Sequence, residues 1–385
     1  MARLARVKNS LKGADDKMRG LGGDHITYKG VKKGLVVLVD FKNKKFADGH
    51  DLEYYKNVIN GKDFTDEEEG YVGSVRDYFL AQSNGQFELD FDVVGPVTMS
   101  KNYGYYGNDG AYQKDEKVYE MIKEACDGIQ DQVNLKDYDW DGDGEADQVF
   151  FLYAGLGQAS GGTASTIWPH ESQLRYWPCG VLSYSTGKIN TYACANELQP
   201  EGQNSTRYIS AGIGTICHEF SHCLGFADMY DTSGGGGYGM SVFDVMDPGS
   251  YNGFVPCNYT AFERIYAGWV EAIELDSPAT VKDMKSVSDY GRPFIMYNYK
   301  NTNEYFLMEN RQNTGWDEGL YGCNGLLIVH VNYVPSRWIN NTVNSSDQKI
   351  PQCCTVVNAD GSRETSNTYS LQGDLYPYEV KGVTM

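Results

Sequence analysis

Histidine is scarce in this chain, with 6 in 385 residues, and long apolar runs are absent. The longest, Val149 to Ala154, is far too short for a helix that spans a bilayer. Basic charge is also in short supply: 33 Lys and Arg face 52 Asp and Glu, giving a net charge of −19. Such a surface opposes binding to nucleic acid or to an anionic membrane. The first residues, Met1-Ala-Arg-Leu-Ala-Arg-Val-Lys8, lack the apolar core of a secretory signal. The chain is therefore expected either to stay in the cytosol or to have lost its signal. Cysteine is present in an odd number, 9, so the thiols cannot all pair within the chain. Cys217 and Cys223 are six apart on an expected helix, a rise of about 9 Å, which excludes a bond between them. Both read as small buried hydrophobes. Cys353 and Cys354 cannot readily bond each other, and either can pair elsewhere.

What is present argues for a folded protein. Hydrophobic content is 41% and aromatic content 13%, enough to bury a core. The length favours two domains, or one with a large appendage. Residues 1–32 read as a leader or propeptide remnant. Gly34 to Phe41 is a nearly continuous β-branched run that fits a buried strand. Val72, Val75, Tyr78 and Phe79 fall at helical spacing, and Gln86 to Val94 alternates like a half-buried strand. Val118, Met121, Ile122, Ala125 and Ile129 line one face of another helix. Gln148 to Ala154 is a further strand, and Val181 to Tyr184 with Lys188 to Ala193 form a hairpin across Ser185-Thr186-Gly187. A helix is expected from Ser210, as its N-cap, to Leu224, and another over 258–268. Beyond Val270 short strands take over: Phe294 to Tyr299, Glu304 to Arg311, Gly325 to Tyr333 and Cys354 to Asn358. This change marks the boundary between portions 33–270 and 271–385.

The chemistry concentrates in His218-Glu219-Phe220-Ser221-His222. Histidines four apart share one helix face, with about 5–6 Å between Cβ atoms, and can hold one metal ion. Glu219 follows the first histidine, in reach of a water on that metal. A catalytic zinc takes three protein ligands and leaves one position open. Gly225 ends the helix in the left-handed conformation, so Asp228 can return toward the metal as third ligand. Its competitors are Asp231, Asp244, Asp247, His170 and His330. Glu219 is then the general base that activates water against a peptide bond.

These residues carry a resemblance. His-Glu-x-x-His-x-x-Gly-x-x-Asp followed by Met246 resembles a metzincin-type zincin, in which a methionine turn lies under the metal. Further stretches resemble the immune inhibitor A family of secreted bacterial metallopeptidases: Gly34 to Phe41, Ser74 to Tyr78, Asp90 to Val94, Ile167-Trp-Pro-His170, His218 to Asp231, Ala267 to Val270, and Tyr305 to Arg311 with Gly325 to His330. The resemblance covers roughly residues 33 to 375. It implies an α+β zincin catalytic domain, with a twisted mixed sheet, a backing helix and an active-site helix, followed by a β-rich domain. It also implies a zinc endopeptidase with calcium sites, acting on protein or peptide substrates outside the cell. The family pattern leads one to expect Gly-His-Asp where this chain has Ser221-His222-Cys223. Tyr251 is a candidate for oxyanion stabilisation, with packing as its plainer role.

Asp139, Asp141, Asp143 and Asp147 surround Gly142 and Gly144 at alternating positions, a set of hard oxygens that suits calcium. Phe150 stands where an EF-hand would place its closing glutamate, so the loop is not an EF-hand. Trp168 and His170 are candidates for the cleft wall. His330 reads as a core histidine. Asp24-His25 in the leader could cover the metal in a latent form. Two other readings compete with the endopeptidase: a zinc hydrolase of cell-wall peptides, and a calcium-braced binding or adhesion module with a vestigial metal site.

Overall fold

The computed structural model describes residues 28–384, apart from 112, 203, 204, 321, 346–350, 363–370, 381 and 382. Most of the expected leader, including Asp24-His25, lies outside the described residues. The chain divides into two units. Among the described residues one comprises 28–80 and 87–224, the other 81–86 and 225–384.

The first unit is built on a six-stranded mixed sheet of order β2-β1-β3-β7-β4, with β8 also pairing β7. Strand β1 (Gly30–Asp40) already begins at Gly30. Helix α1 (Leu52–Asn60) follows, capped by the Asp51 carboxylate, which accepts from Tyr54 N at 2.9 Å. The sequence reading had no element there. Helix α2 (Val75–Gln82) opens on a reciprocal cap: Ser74 N donates to Asp77 Oδ2 and Asp77 N to Ser74 Oγ. Val72 was expected on this helix but precedes it and is exposed.

Strand β2 (Phe87–Thr98) buries Phe87, Leu89, Phe91 and Val93 on one face, as its alternation requires. Helix α3 (Val118–Ile129) buries the expected stripe, Val118 to Ile129, together with Cys126. Strand β3 (Val149–Leu156) pairs parallel with β1 on one side and with β7 on the other. It is central and covered on both faces, which is why its sequence is apolar throughout. Strand β4 (His170–Gln173) runs antiparallel to β7 and ends the sheet. Strands β5 (Leu182–Tyr184) and β6 (Gly187–Ile189) form the expected hairpin, and β7 (Thr191–Pro200) starts after it as a separate strand.

Strand β8 (Tyr208–Ser210) precedes helix α4 (Gly214–Cys223). The expectation that Ser210 caps this helix is corrected here. Ser210 closes β8, and its hydroxyl pairs with the Tyr71 hydroxyl at 2.7 Å and accepts from Gly212 N at 3.2 Å. The helix starts four residues later with Ile213 as N-cap.

The second unit contains helix α5 (Ala261–Tyr266), shorter than the 258–268 expected, and a five-stranded sheet of order β13-β12-β11-β10-β9. Its strands are β9 (Ile273–Glu274), β10 (Phe294–Tyr297), β11 (Glu304–Arg311), β12 (Gly325–Asn332) and β13 (Cys354–Val356). Only the β9–β10 pair is parallel. Strand β11 alternates strictly, yet its buried face ends in two charges, Glu309 and Arg311. The Arg311 guanidinium donates to both Asp317 oxygens, at 2.7 and 2.6 Å, to Glu309 Oε1 at 3.1 Å and to the Phe243 carbonyl at 2.8 Å. A fully buried charge persists only when it is paired and hydrogen-bonded in this way. His330 is not a core histidine: it lies on the half-exposed face of β12 and its Nε2 meets Glu304 Oε1 at 3.1 Å.

Candidate metal centre

Helix α4 lies against β7 and β4. Ile216, Cys217 and Phe220 are buried along one side, and the Phe220 ring stands 5.0 Å from Phe79 and 5.7 Å from Phe91. This apolar stripe fixes the rotation of the helix, and with it the direction of the two histidines. The rings of His218 and His222 are 4.9 Å apart and nearly perpendicular, at 87°. Ligand atoms from His218, Glu219 and His222 all lie within 4.8 Å of one another. Two zinc–ligand bonds of about 2 Å each span about 4 Å, so the group is of the right size. Nitrogen donors with one carboxylate suit zinc and are poor ligands for calcium or magnesium.

His218 and Glu219 are buried, and His222 is half-buried, so one side of the group opens outward. The Glu219 carboxylate is close enough to Cys194 on β7 to add to the upward push that burial exerts on that thiol. Cys217 is fully buried as expected, whereas Cys223 is half-buried. Gly225 has φ of +83°, the left-handed residue that the helix stop requires.

Asp228 is buried in the second unit. The Asn341 amide holds it from two sides: Asn341 Nδ2 donates to Asp228 Oδ2 at 2.6 Å, and Asp228 N donates to Asn341 Oδ1 at 2.7 Å. A hydrogen bond of this kind orients a metal-binding carboxylate. The competing aspartates are engaged with nearby backbone. Asp231 Oδ2 accepts from Gly237 N, Asp244 Oδ1 from Met246 N, and Asp247 Oδ2 from Met240 N and Ser241 N. Met246 is fully buried, and its carbonyl accepts from Met229 N at 2.8 Å. Tyr251 is 64% exposed.

Trp168 and His170 stand at the start of edge strand β4, and the segment is tied down by residues that sequence reasoning missed. The Tyr153 hydroxyl donates to the Ile167 carbonyl at 2.8 Å, and Ile167 N donates to the Tyr103 hydroxyl at 3.2 Å. Trp168 N donates to Asp115 Oδ2 at 2.9 Å, and the Lys114 ammonium lies 3.4 Å from the centre of the Trp168 ring. Burial pushes Asp115 up to about 7, and Asp109 adds to the rise against the Trp168 N–H. His170 pairs through Nδ1 with the Trp168 carbonyl at 2.7 Å and through Nε2 with the Tyr192 hydroxyl at 2.9 Å. Burial lowers its pKa. Both of its ring nitrogens are thus engaged. No local pattern marks Asp115 or Asn341 in the sequence, because each acts on a residue distant along the chain.

Residues 31–272 match the catalytic domain of the immune inhibitor A peptidase family, M6. The chain belongs to that family. The pre-pro-metalloprotease PrtV of Vibrio cholerae is 28% identical over 290 residues, a stretch covering 66% of this chain and 30% of that protein. Immune inhibitor A of Bacillus thuringiensis is 26% identical over 294 residues, covering 63% of this chain and 41% of the relative. The chain thus spans well under half the length of these relatives. Membership makes this a metallopeptidase-family catalytic domain, and the helix-borne group of His218, Glu219 and His222 is where its sequence concentrates metal-binding chemistry.

Within the first unit a second, different group forms. Ligand oxygens of Asp139, Asp141 and Asp147 lie within 4.8 Å of one another. Asp143, expected to join them, is not part of the group; its Oδ1 accepts from Glu145 N at 2.7 Å and closes the turn. Gly142 and Gly144 have φ of +83° and +88°, which permits the tight path between the carboxylates.

Proposed function

We propose that the chain is a zinc-dependent endopeptidase, with His218, His222 and Asp228 as zinc ligands. The observation that carries the reading is the convergence of two imidazoles and the Glu219 carboxylate within 4.8 Å on one buried helix. Zinc held there supplies Lewis acidity to water and to the peptide carbonyl. Glu219 is the general base: its carboxylate takes a proton from the attacking water and passes it to the leaving amine. Asn341 acts through Asp228, holding that carboxylate in a single orientation. Trp168 and His170 line the cleft beside β4, whose outer edge has backbone groups that an extended peptide can pair with. Tyr251, a largely exposed residue, is the candidate donor to the oxyanion.

Asp139, Asp141 and Asp147 bind calcium in a structural role, at the root of central strand β3. Partly exposed carboxylates on a turn suit the millimolar calcium found outside cells, which supports secretion. No helix among the described residues is long and apolar enough to cross a membrane. Residues 33–270 are assigned to the catalytic portion and 271–385 to a β-rich portion.

The test is hydrolysis of casein by the zinc-loaded chain, its Glu219→Ala variant and the chelator-treated protein. Glu219→Ala is expected to keep its zinc and lose activity by on the order of a thousandfold. Full activity in that variant would sink the reading. Hydrolysis of peptidoglycan peptides with none of casein would move the substrate to the cell wall.

A further inference from the structure

Asp374, in the second unit, has 0% of its surface exposed, and among the described residues no hydrogen-bond donor reaches either of its carboxylate oxygens. Donor-free burial of a carboxylate is costly and calls for a compensating positive charge or a proton. Among the described residues no Lys or Arg supplies that charge. The strongest electrostatic neighbour is another acid, Asp360, which adds to the effect of burial and pushes Asp374 up to about 7.

The surroundings are rich in oxygen. Ala359 N donates to the Asp374 carbonyl at 3.1 Å and Asp360 N to the Gly373 carbonyl at 2.9 Å, so the two segments run side by side. A Cβ on Gly373 would stand 2.3 Å from Asp360 Oδ2. Glycine therefore lets the Asp360 carboxylate rest against the chain one residue before Asp374. Asn358, two residues from Asp360, has a buried Oδ1 that receives no hydrogen bond. Its Nδ2 donates to the Tyr238 hydroxyl and to the Ser362 carbonyl, which sets the amide orientation.

The sequence Asn358-Ala-Asp360-Gly361-Ser362 repeats the spacing of Asp139-Trp-Asp141-Gly142-Asp143: side-chain oxygens at alternate positions around a left-handed glycine. Gly361 has φ of +70° and Gly142 of +83°. The inner hydrogen bond recurs too, from Ser362 N to Asp360 Oδ1 at 2.7 Å and from Asp143 N to Asp141 Oδ1 at 3.1 Å.

We propose that Asn358, Asp360 and Asp374 bind a second calcium ion, which straps the segment after β13 to residues 371–376. Two carboxylates balance a divalent charge. An all-oxygen set with a carboxylate open at both oxygens and a neutral amide favours calcium over magnesium, which demands a tighter octahedron. The strap is already joined to β12, where Leu326 and Tyr376 exchange backbone hydrogen bonds of 2.7 and 3.0 Å. Calcium would thus anchor the far edge of the five-stranded sheet.

The experiment is a titration of the whole zinc-loaded chain with calcium chloride, read by calorimetry and by melting temperature. In an Asp139→Asn/Asp141→Asn background one calcium ion should still bind, and adding Asp374→Asn should abolish it. Gly373→Ala, which crowds Asp360, should weaken that binding at least tenfold. In EDTA, Asp374→Asn should melt no lower than the parent, because it removes an uncompensated buried acid. This last readout separates lost calcium from a damaged fold. No calcium bound in the Asp139→Asn/Asp141→Asn background, or an undiminished stoichiometry after Asp374→Asn, would overturn the proposal.

Discussion

The two metal-capable groups of the first unit solve one problem with opposite materials. The His218–His222 group sits on a helix whose rotation is fixed by buried Phe220 and Cys217, and two of its three side chains are buried. The 139–147 group sits on a turn whose carboxylates bond their own backbone, as in Gly142 N to Asp139 Oδ1 at 2.7 Å and Gly144 N to Asp139 Oδ2 at 2.9 Å. The helix presets its ligands through packing that does not depend on the ion. The turn is anchored by its neighbours, Trp140 Nε1 donating to the Lys33 carbonyl at 2.8 Å and Ala146 N to the Lys188 carbonyl at 2.9 Å, but its clustered carboxylates repel one another, so their order depends more on a bound cation. The first arrangement suits chemistry that needs fixed geometry, the second suits bracing.

This contrast can be broken at several points. The largest effect is expected at the helix: His218→Ala or His222→Ala should remove zinc and bring casein hydrolysis to background, while the melting temperature in calcium changes little. A variant that keeps stoichiometric zinc by elemental analysis would contradict the ligand assignment. Next comes Asn341→Ala, which frees the Asp228 carboxylate and should weaken zinc binding by about 10–100-fold, read by competition with a chelating dye. Unchanged affinity would speak against Asp228 as third ligand.

A smaller and different loss is expected at the turn. Asp141→Asn should abolish the share of calcium stabilisation that this loop supplies, about 2.7 kcal/mol when the ion is at a hundred times its Kd. The turnover of the folded enzyme should stay as it is. A drop in kcat at a temperature well below melting would mean that the loop takes part in the chemistry.

The smallest effect concerns Asp115, whose carboxyl is raised to about 7 by burial. Folded protein keeps this proton where the unfolded chain, with a pKa near 3.9, has released it. Stability from this group is therefore full below about pH 4, falls as pH rises toward 7, and is level above that. Asp115→Asn should flatten this slope and gain on the order of 1–2 kcal/mol at pH 8, measured by urea unfolding. A variant with the wild-type slope would exclude Asp115 as its source.

How far the sequence could be read follows from the range of each interaction. The stripes of α3 and α4, the alternation of β2 and β11, and the pairing of His218 with His222 depend on neighbours within a few residues, and all were legible. Helix α1 carried local signals as well, Tyr55, Val58 and Ile59 at helical spacing behind the Asp51 cap, but in a segment of only nine residues they did not stand out. The start of α4 was misjudged because Ser210 looks like a cap until Tyr71, 139 residues away, claims its hydroxyl. Asp143 counted as a ligand by spacing alone, yet its carboxylate turns to Glu145 N and falls outside the group formed by Asp139, Asp141 and Asp147. The identity of the helix that carries His218 and His222 was local information. The supports around it were not.

The hydrogen bonds that hold Asp228 and its neighbour bear on what can be inherited or cut. Asn341 binds Asp228 across 113 residues of chain, and Asn344 Nδ2 donates to the Met229 carbonyl across 115, at 2.6 Å. Arg311 reaches back in the same way to the carbonyl of Phe243. The stretch recognisable as a family catalytic domain ends at residue 272, before any of these three. A gene fragment trimmed to the recognisable stretch would keep every proposed zinc ligand and lose the side chains that position residues 228, 229 and 243. The portable module, the one that recombination or an expression vector could carry intact, is longer than the one that similarity outlines.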